Sequence, residues 1–161
     1  MPLHEHHSWS YLVRSGLQNL PDKVTVTRSV AVGDVDGYEL AGELGVSHLA
    51  WEKGQLVTDQ MAGVRFTRPL PILAPNNDSV EWSGWADSGD HRDPAKATVT
   101  HASTKLEVLG RPVETIRSDV DLKIADRKLQ LSTWFEPGVG IVRQDQRTNG
   151  RLDITLELLG E

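Results

Sequence analysis

Alternation of apolar and polar residues with a period of two runs through almost the whole chain, and it limits the fold more than any other feature. In Leu152–Leu158, Leu152, Ile154, Leu156 and Leu158 fall on one face, and Asp153, Thr155 and Glu157 on the other. In Val24–Val32 the even positions are apolar except Arg28, and the odd ones are Thr, Ser and Ala. Similar runs cover Trp9–Val13, Tyr38–Leu44, Leu56–Met61, Lys105–Leu109, Ile116–Leu122 and Leu129–Phe135. Successive side chains of a strand point to opposite faces, so these runs describe strands with one dry and one wet face, the habit of antiparallel sheets.

Turn signals separate the runs: Asp36-Gly37, Lys53-Gly54, Gly110-Arg111-Pro112, Ala125-Asp126-Arg127 and Asn149-Gly150. Asn-Gly is the strongest of them, because a type I′ turn needs positive φ at both central residues. Val46–Met61 has some helical spacing, but Gly54 in its middle and its strand-like flanks favour a hairpin. Pro69–Ala97 breaks the rhythm with Pro69, Pro71, Pro75 and Pro94. Proline cannot donate to a sheet ladder, so this segment is expected to be a long excursion across an open edge or mouth, holding one short strand, Val80–Trp85. The expected fold is all-β: one domain over residues 1–161, a curled antiparallel meander forming a half-barrel or open barrel of about ten strands, with little or no helix.

The 161 residues suffice for one domain with a real core. No apolar run approaches the roughly 20 residues of a membrane-spanning helix, so no transmembrane segment is expected. A net charge of −6, with the 17 basic residues scattered, excludes a nucleic-acid binder, which needs a Lys/Arg surplus along one surface. The absence of cysteine excludes disulfides, thiolate metal sites and a Cys nucleophile. The opening MPLHEHHSWSY has neither a basic n-region nor an apolar h-region. As written, the chain therefore reads as cytoplasmic, and as a cell-envelope protein where an upstream signal peptide has been removed.

Chemistry is sparse. His4 and His6 would share a face of an extended segment and, with Glu5 or a distant carboxylate, could hold a divalent metal. They sit at a chain end, where preorganisation is poor, and no H-E-x-x-H helix supports them, so neither metal nor cofactor is expected. Asp90-His91-Arg92-Asp93 places a histidine between carboxylates, but no G-x-S-x-G elbow supplies a nucleophile. Ser47-His48 and Thr100-His101 are neighbours on strands and so point to opposite faces. Asn77-Asp78-Ser79 fits a glycosylation sequon, a tripeptide common by chance. Glu136-Pro-Gly-Val-Gly140 fails as a phosphate loop because it leads into an alternating strand instead of a helix N-terminus. It reads as a type II-like turn with positive φ at Gly138.

That turn also carries a resemblance. Trp134, Phe135, Pro137, Gly138, Val139, Gly140, Ile141, Val142 and Arg143 are similar to the last hairpin of a bacterial lipoprotein-like domain family. Pro2-Leu3 with Trp9-Ser10-Tyr11, Val108–Val113 with Glu114–Arg117, Pro69–Leu73, and the strand bearing Trp82 and Trp85 resemble its other landmarks. The resemblance implies a curled sheet akin to TapB-like and LolA/LppX-like exported proteins, often lipid-anchored and not known as enzymes.

Two kinds of function follow. The first is a non-enzymatic binding module whose concave face takes a lipid or other apolar small molecule, with Trp51, Phe66, Trp82, Trp85 and Trp134 as its ligand-binding residues. The aromatics also serve simply as core of a sheet that has no helices to cover it. The second is a structural or interaction domain acting through homodimerisation or sheet edges. A metal-dependent hydrolase ranks third.

Overall fold

The computed structural model describes residues 1–76 and 79–160; the sequon at Asn77-Asp78-Ser79 falls partly outside them. Twelve strands follow one another among these residues: β1 (Ser8–Ser15), β2 (Gln18–Val32), β3 (Val35–Gly42), β4 (Gly45–Glu52), β5 (Gln55–Met61), β6 (Val64–Leu73), β7 (Ser79–Ser88), β8 (His91–Val108), β9 (Arg111–Ile124), β10 (Arg127–Glu136), β11 (Gly140–Thr148) and β12 (Arg151–Gly160). Each pairs antiparallel with its successor, and β12 pairs with β1 through Tyr11↔Leu158 and Val13↔Leu156. The sheet is therefore a closed twelve-strand barrel, not a half-barrel of about ten. Alternation specifies strands and faces, but it carries no information on whether the first and last strands meet. Closure satisfies both edges, which an open sheet would leave as bare N–H and C=O groups.

Val46–Met61 is a hairpin, β4 and β5 joined at Lys53-Gly54. At the end of β10, Val139 N donates to Glu136 O at 3.2 Å and Gly138 has φ +81°, the geometry of a type II turn. Asn149 and Gly150 both have positive φ, 49° and 83°, as the I′ turn requires. One turn was misplaced by the sequence pattern. The β2–β3 turn is Gly33-Asp34, while Asp36 and Gly37 lie within β3. Gly37 is there for space: a Cβ on it would stand 2.6 Å from both Leu49 O and Val32 Cγ2.

The expected excursion over Pro69–Ala97 is mostly strand. Pro69 and Pro71 lie in β6, and Pro94 lies in β8 one residue before its ladder to β9 begins at Ala95. β6 pairs with β7 only at Arg65↔Asp87 and Phe66↔Ala86, then leaves it. From there the chain turns into the barrel, and Leu70, Pro71, Ile72, Leu73 and Ala74 are buried in an unbroken run. Ser118 Oγ of β9 donates to Ile72 O at 2.6 Å, and Ala74 N donates to His101 Nε2 of β8 at 2.9 Å. The prolines thus sit where the strand no longer needs N–H donors toward β7. Their effect is a strand that parts from its neighbour, not the loss of a strand.

This inward segment divides the interior. On the side of β7, β8 and β9, Trp82, Val99, Val120 and Leu122 pack into a dry core with Leu70. On the other side, between β1–β5 and β10–β12, a cavity remains. Both chain ends leave at one pole of the barrel, where Ser10 pairs with Gly160. The β3–β4 and β5–β6 turns lie at the opposite pole.

Candidate functional site

The cavity has a volume of about 290 Å³, near the lower end of the range for small-molecule sites. Its walls come from inward-facing rows: Leu40 and Leu49 on one flank, Leu131 and Leu156 on the other. Ile72 of the inward β6 segment forms the partition, and no residue of β7, β8 or β9 lines it. Trp9, fully buried, and Tyr11 form the floor toward the pole of the chain ends. They are fixed from behind, since Trp9 Nε1 donates to Val139 O at 2.9 Å and Tyr11 Oη donates to Ile141 O at 3.0 Å. The Glu136–Gly140 turn is therefore structural, because a carbonyl within it holds the floor indole.

At the opposite pole the lining reaches solvent through Leu44, Gly45 and Ala62. Leu20 continues the inward row of Asp22 and Val24. It is 58% exposed, Leu44 is 44% exposed, and Leu17 in the β1–β2 turn is fully so. The lip is thus an arc of leucines at the β1–β2 and β3–β4 turns, whereas a bulge sets Leu152 opposite Arg147, off the inward row of Ile154. Polar groups within are few: Gln144, Gln146, Ser47 and the buried carboxylate of Asp22. Asp22 Oδ1 accepts from Glu43 N at 2.9 Å.

Of the residues singled out from sequence, Phe66 and Trp82 come together, their rings edge to face with centroids 5.6 Å apart. Trp82 Nε1 donates to Pro69 O at 2.9 Å. Both belong to the dry core and neither lines the cavity. Trp51 and Trp85 are on the outside, 41% and 48% exposed. Trp51 Nε1 donates to Met1 O, and Arg92 lies over the Trp85 ring. Trp134 also faces outward, between the guanidinium groups of Arg117 and Arg143 at 5.0 and 5.3 Å. Burial was expected for it, but its position in β10 has the outward parity, opposite to buried Phe135.

His4 and His6 do not converge. His6 lies in a turn with φ +68°, its N donating to Val26 O, while His4 contacts the ring of His7. Among the described residues no cluster of three or more metal-binding side chains occurs. Asp90–Asp93 forms the β7–β8 turn and the start of β8, where Arg92 approaches Asp87. Two polar clusters on the outer wall went unnoticed in the sequence. In one, Arg28 binds Glu39 at 2.7 Å, and His48 bridges Glu39 (3.5 Å) and Asp59 (3.1 Å). The bonds from Arg28 and Thr27 hold the Glu39 carboxyl well below its usual range, at about 2. In the other, Asp119 accepts from Ser132 and Arg117. Both clusters are satisfied internally, which leaves the cavity as the candidate site.

The cavity residues were within reach of the alternation pattern. Extending the even row of Val24 and Val26 back by two reaches Asp22, an acid in an inward position. The aromatic count drew attention instead to outward-facing indoles.

No family model matches the chain, and no curated protein does. Solved structures do. A candidate lipoprotein from Parabacteroides distasonis superposes with a TM-score of 0.56 at 14% identity, over 98% of this chain and 95% of that one. A candidate exported protein with YmcC-like fold from Bacteroides fragilis gives 0.53 at 12% identity, with the same coverage of both. The fold is the one these two proteins share. At such identities the likeness concerns the path of the backbone alone. No helix among the described residues is long and apolar enough to cross a membrane.

Proposed function

We propose that the barrel is a non-enzymatic binding module that takes an apolar small molecule, or the chain of a lipid, into the cavity between Trp9 and the leucine lip. One observation carries this reading: an apolar internal cavity opens at a pole where Leu17, Leu20 and Leu44 stand in solvent. Exposed leucines in one arc are costly to leave against water unless something covers them, whereas single ones need no explanation. The fold neighbours, a candidate lipoprotein and a candidate exported protein, support a place in the cell envelope, and the Trp134–Arg143 motif is our ground for reading the barrel as one of the TapB-like and LolA/LppX-like kind.

The test is titration with N-phenyl-1-naphthylamine, a neutral dye that brightens in apolar surroundings. Saturable binding by the wild type is expected, together with its loss in Ser47→Phe, which places a ring in the cavity without removing a core side chain. Equal binding by both proteins would refute the assignment. A second reading has its own support. Beyond Phe66↔Ala86, β7 has lost its β6 partner, so Ser79–Gly84 offers an edge for a homodimer or a partner strand. A monomer in light scattering at millimolar concentration would dispose of the homodimer.

A further inference from the structure

We propose that Asp22 is the polar pole of this cavity and that the ligand is a cationic amphiphile, an apolar chain bearing a protonated amine. The inference rests on the cavity being a binding site and adds the chemistry of the head group. Asp22 is only 4% exposed and lines the cavity. Its Oδ1 has a donor in Glu43 N, but its Oδ2 is buried with no donor among the described residues. The space behind the carboxylate is closed by the backbone of β3: a Cβ on Gly42 would stand 2.9 Å from Oδ2 and 3.1 Å from Oδ1. A glycine at this position is what allows the carboxylate to sit between β2 and β3 at the cavity wall.

The sign of the ligand follows from the inventory of the lining. No lysine, arginine or histidine side chain borders the cavity, and its other polar side chains, Ser47, Gln144 and Gln146, are neutral. A buried acceptor without a donor is costly, and one that carries charge is costlier, so a donor arriving with a positive charge gains most. An anionic head would meet a carboxylate with no lysine, arginine or histidine side chain to offset it, the amino terminus of Met1 being the one cationic group on a lining residue. The leucine lip accepts the chain and Asp22 selects the head. Ordinary fatty acids are thus the wrong guests for this barrel.

Decylammonium, decanol and decanoate carry the same chain and separate the two claims. Their binding to the wild type and to Asp22→Asn is measured by displacement of N-phenyl-1-naphthylamine and by calorimetry. The wild type is expected to bind decylammonium about tenfold to a hundredfold more tightly than decanol, the span of a charge-assisted hydrogen bond, and decanoate least. Asp22→Asn keeps an oxygen for Glu43 N, and should level amine and alcohol while leaving decanol unchanged. Decanoate binding as tightly as decylammonium, or an unchanged ranking in Asp22→Asn, would overturn the assignment of Asp22 while leaving the apolar cavity intact. Failure of the dye and all three chains to bind would remove both. Should Asp22→Asn not fold, the wild-type ranking and the carboxyl carbon shift of Asp22 on adding decylammonium decide the matter. An unmoved Asp22 resonance under saturating amine would refute the contact.

Discussion

The seam between β6 and β7 is where the barrel should yield first, and Trp82 is the residue on which that expectation turns. Only two residue pairs join these strands. Beyond them the seam is held by Trp82 Nε1 donating to Pro69 O (2.9 Å), Trp85 N donating to Thr67 Oγ1 (3.1 Å), and the edge contact of Trp82 with Phe66. Trp82→Phe keeps a ring but strands the Pro69 carbonyl, a loss of about 1–3 kcal/mol. Trp82→Ala also empties a buried indole site (5% exposed) and should cost about 3–5 kcal/mol. For a domain of this size that corresponds to a fall in Tm of about 10 °C. Urea denaturation gives the totals, and native-state hydrogen exchange gives their location. Amides of β7 and of β6 beyond Phe66 should exchange faster in Trp82→Phe, with the long β8–β9 ladder little changed. A loss below about 1 kcal/mol for Trp82→Ala, or acceleration spread evenly over all strands, would refute the view that this indole fastens a weak seam.

Other perturbations test other parts. Gly138→Val forces a β-branched side chain to φ +81° and should cost about 1–2 kcal/mol in urea denaturation; an unchanged Tm would overturn the turn geometry. Gly37→Ala pushes a methyl to 2.6 Å from Leu49 O and should cost about 1–3 kcal/mol, against no effect if β3 and β4 can simply separate there. Glu39 has its pKa lowered from 4.5 to about 2 by Arg28 and Thr27. Its contribution to stability is therefore complete above pH 4.5 and fades as pH falls toward 2. The stability gap between wild type and Glu39→Gln should narrow across that window, and a constant gap would exclude the linkage.

The strands and their faces were legible because period-two alternation is a local property. Leu152–Leu158 shows this in its simplest form, and the Glu136–Gly140 turn was readable from Pro137 and Gly138 alone. What was not legible depends on pairs distant in sequence. The meeting of Val13 with Leu156 closes the barrel, and nothing local in either run announces it. β6 was obscured because prolines weaken a strand prediction on average, yet Pro69 and Pro71 occur where the partner strand has already departed. Its four consecutive buried residues, Leu70 to Leu73, likewise break alternation, because both of their faces are covered. The site was missed for a related reason. Tryptophan attracts attention by rarity, but Trp51, Trp85 and Trp134 lie on outward rows, while the walls of the cavity are ordinary aliphatic residues and one acid over a floor of Trp9 and Tyr11.

The pairing of the first and last strands gives the molecule a direction. Ser10 lies beside Gly160, so a linker, tag or anchor joined to either terminus emerges at the same pole, and the leucine lip faces the other way. A barrel tethered by its N-terminus would present its mouth outward, at the full length of the strands from the attachment point. A fusion at the C-terminus would leave that mouth equally clear. Immobilising the protein by either end should therefore be interchangeable in binding measurements, whereas an insertion into the β3–β4 turn would stand in the doorway.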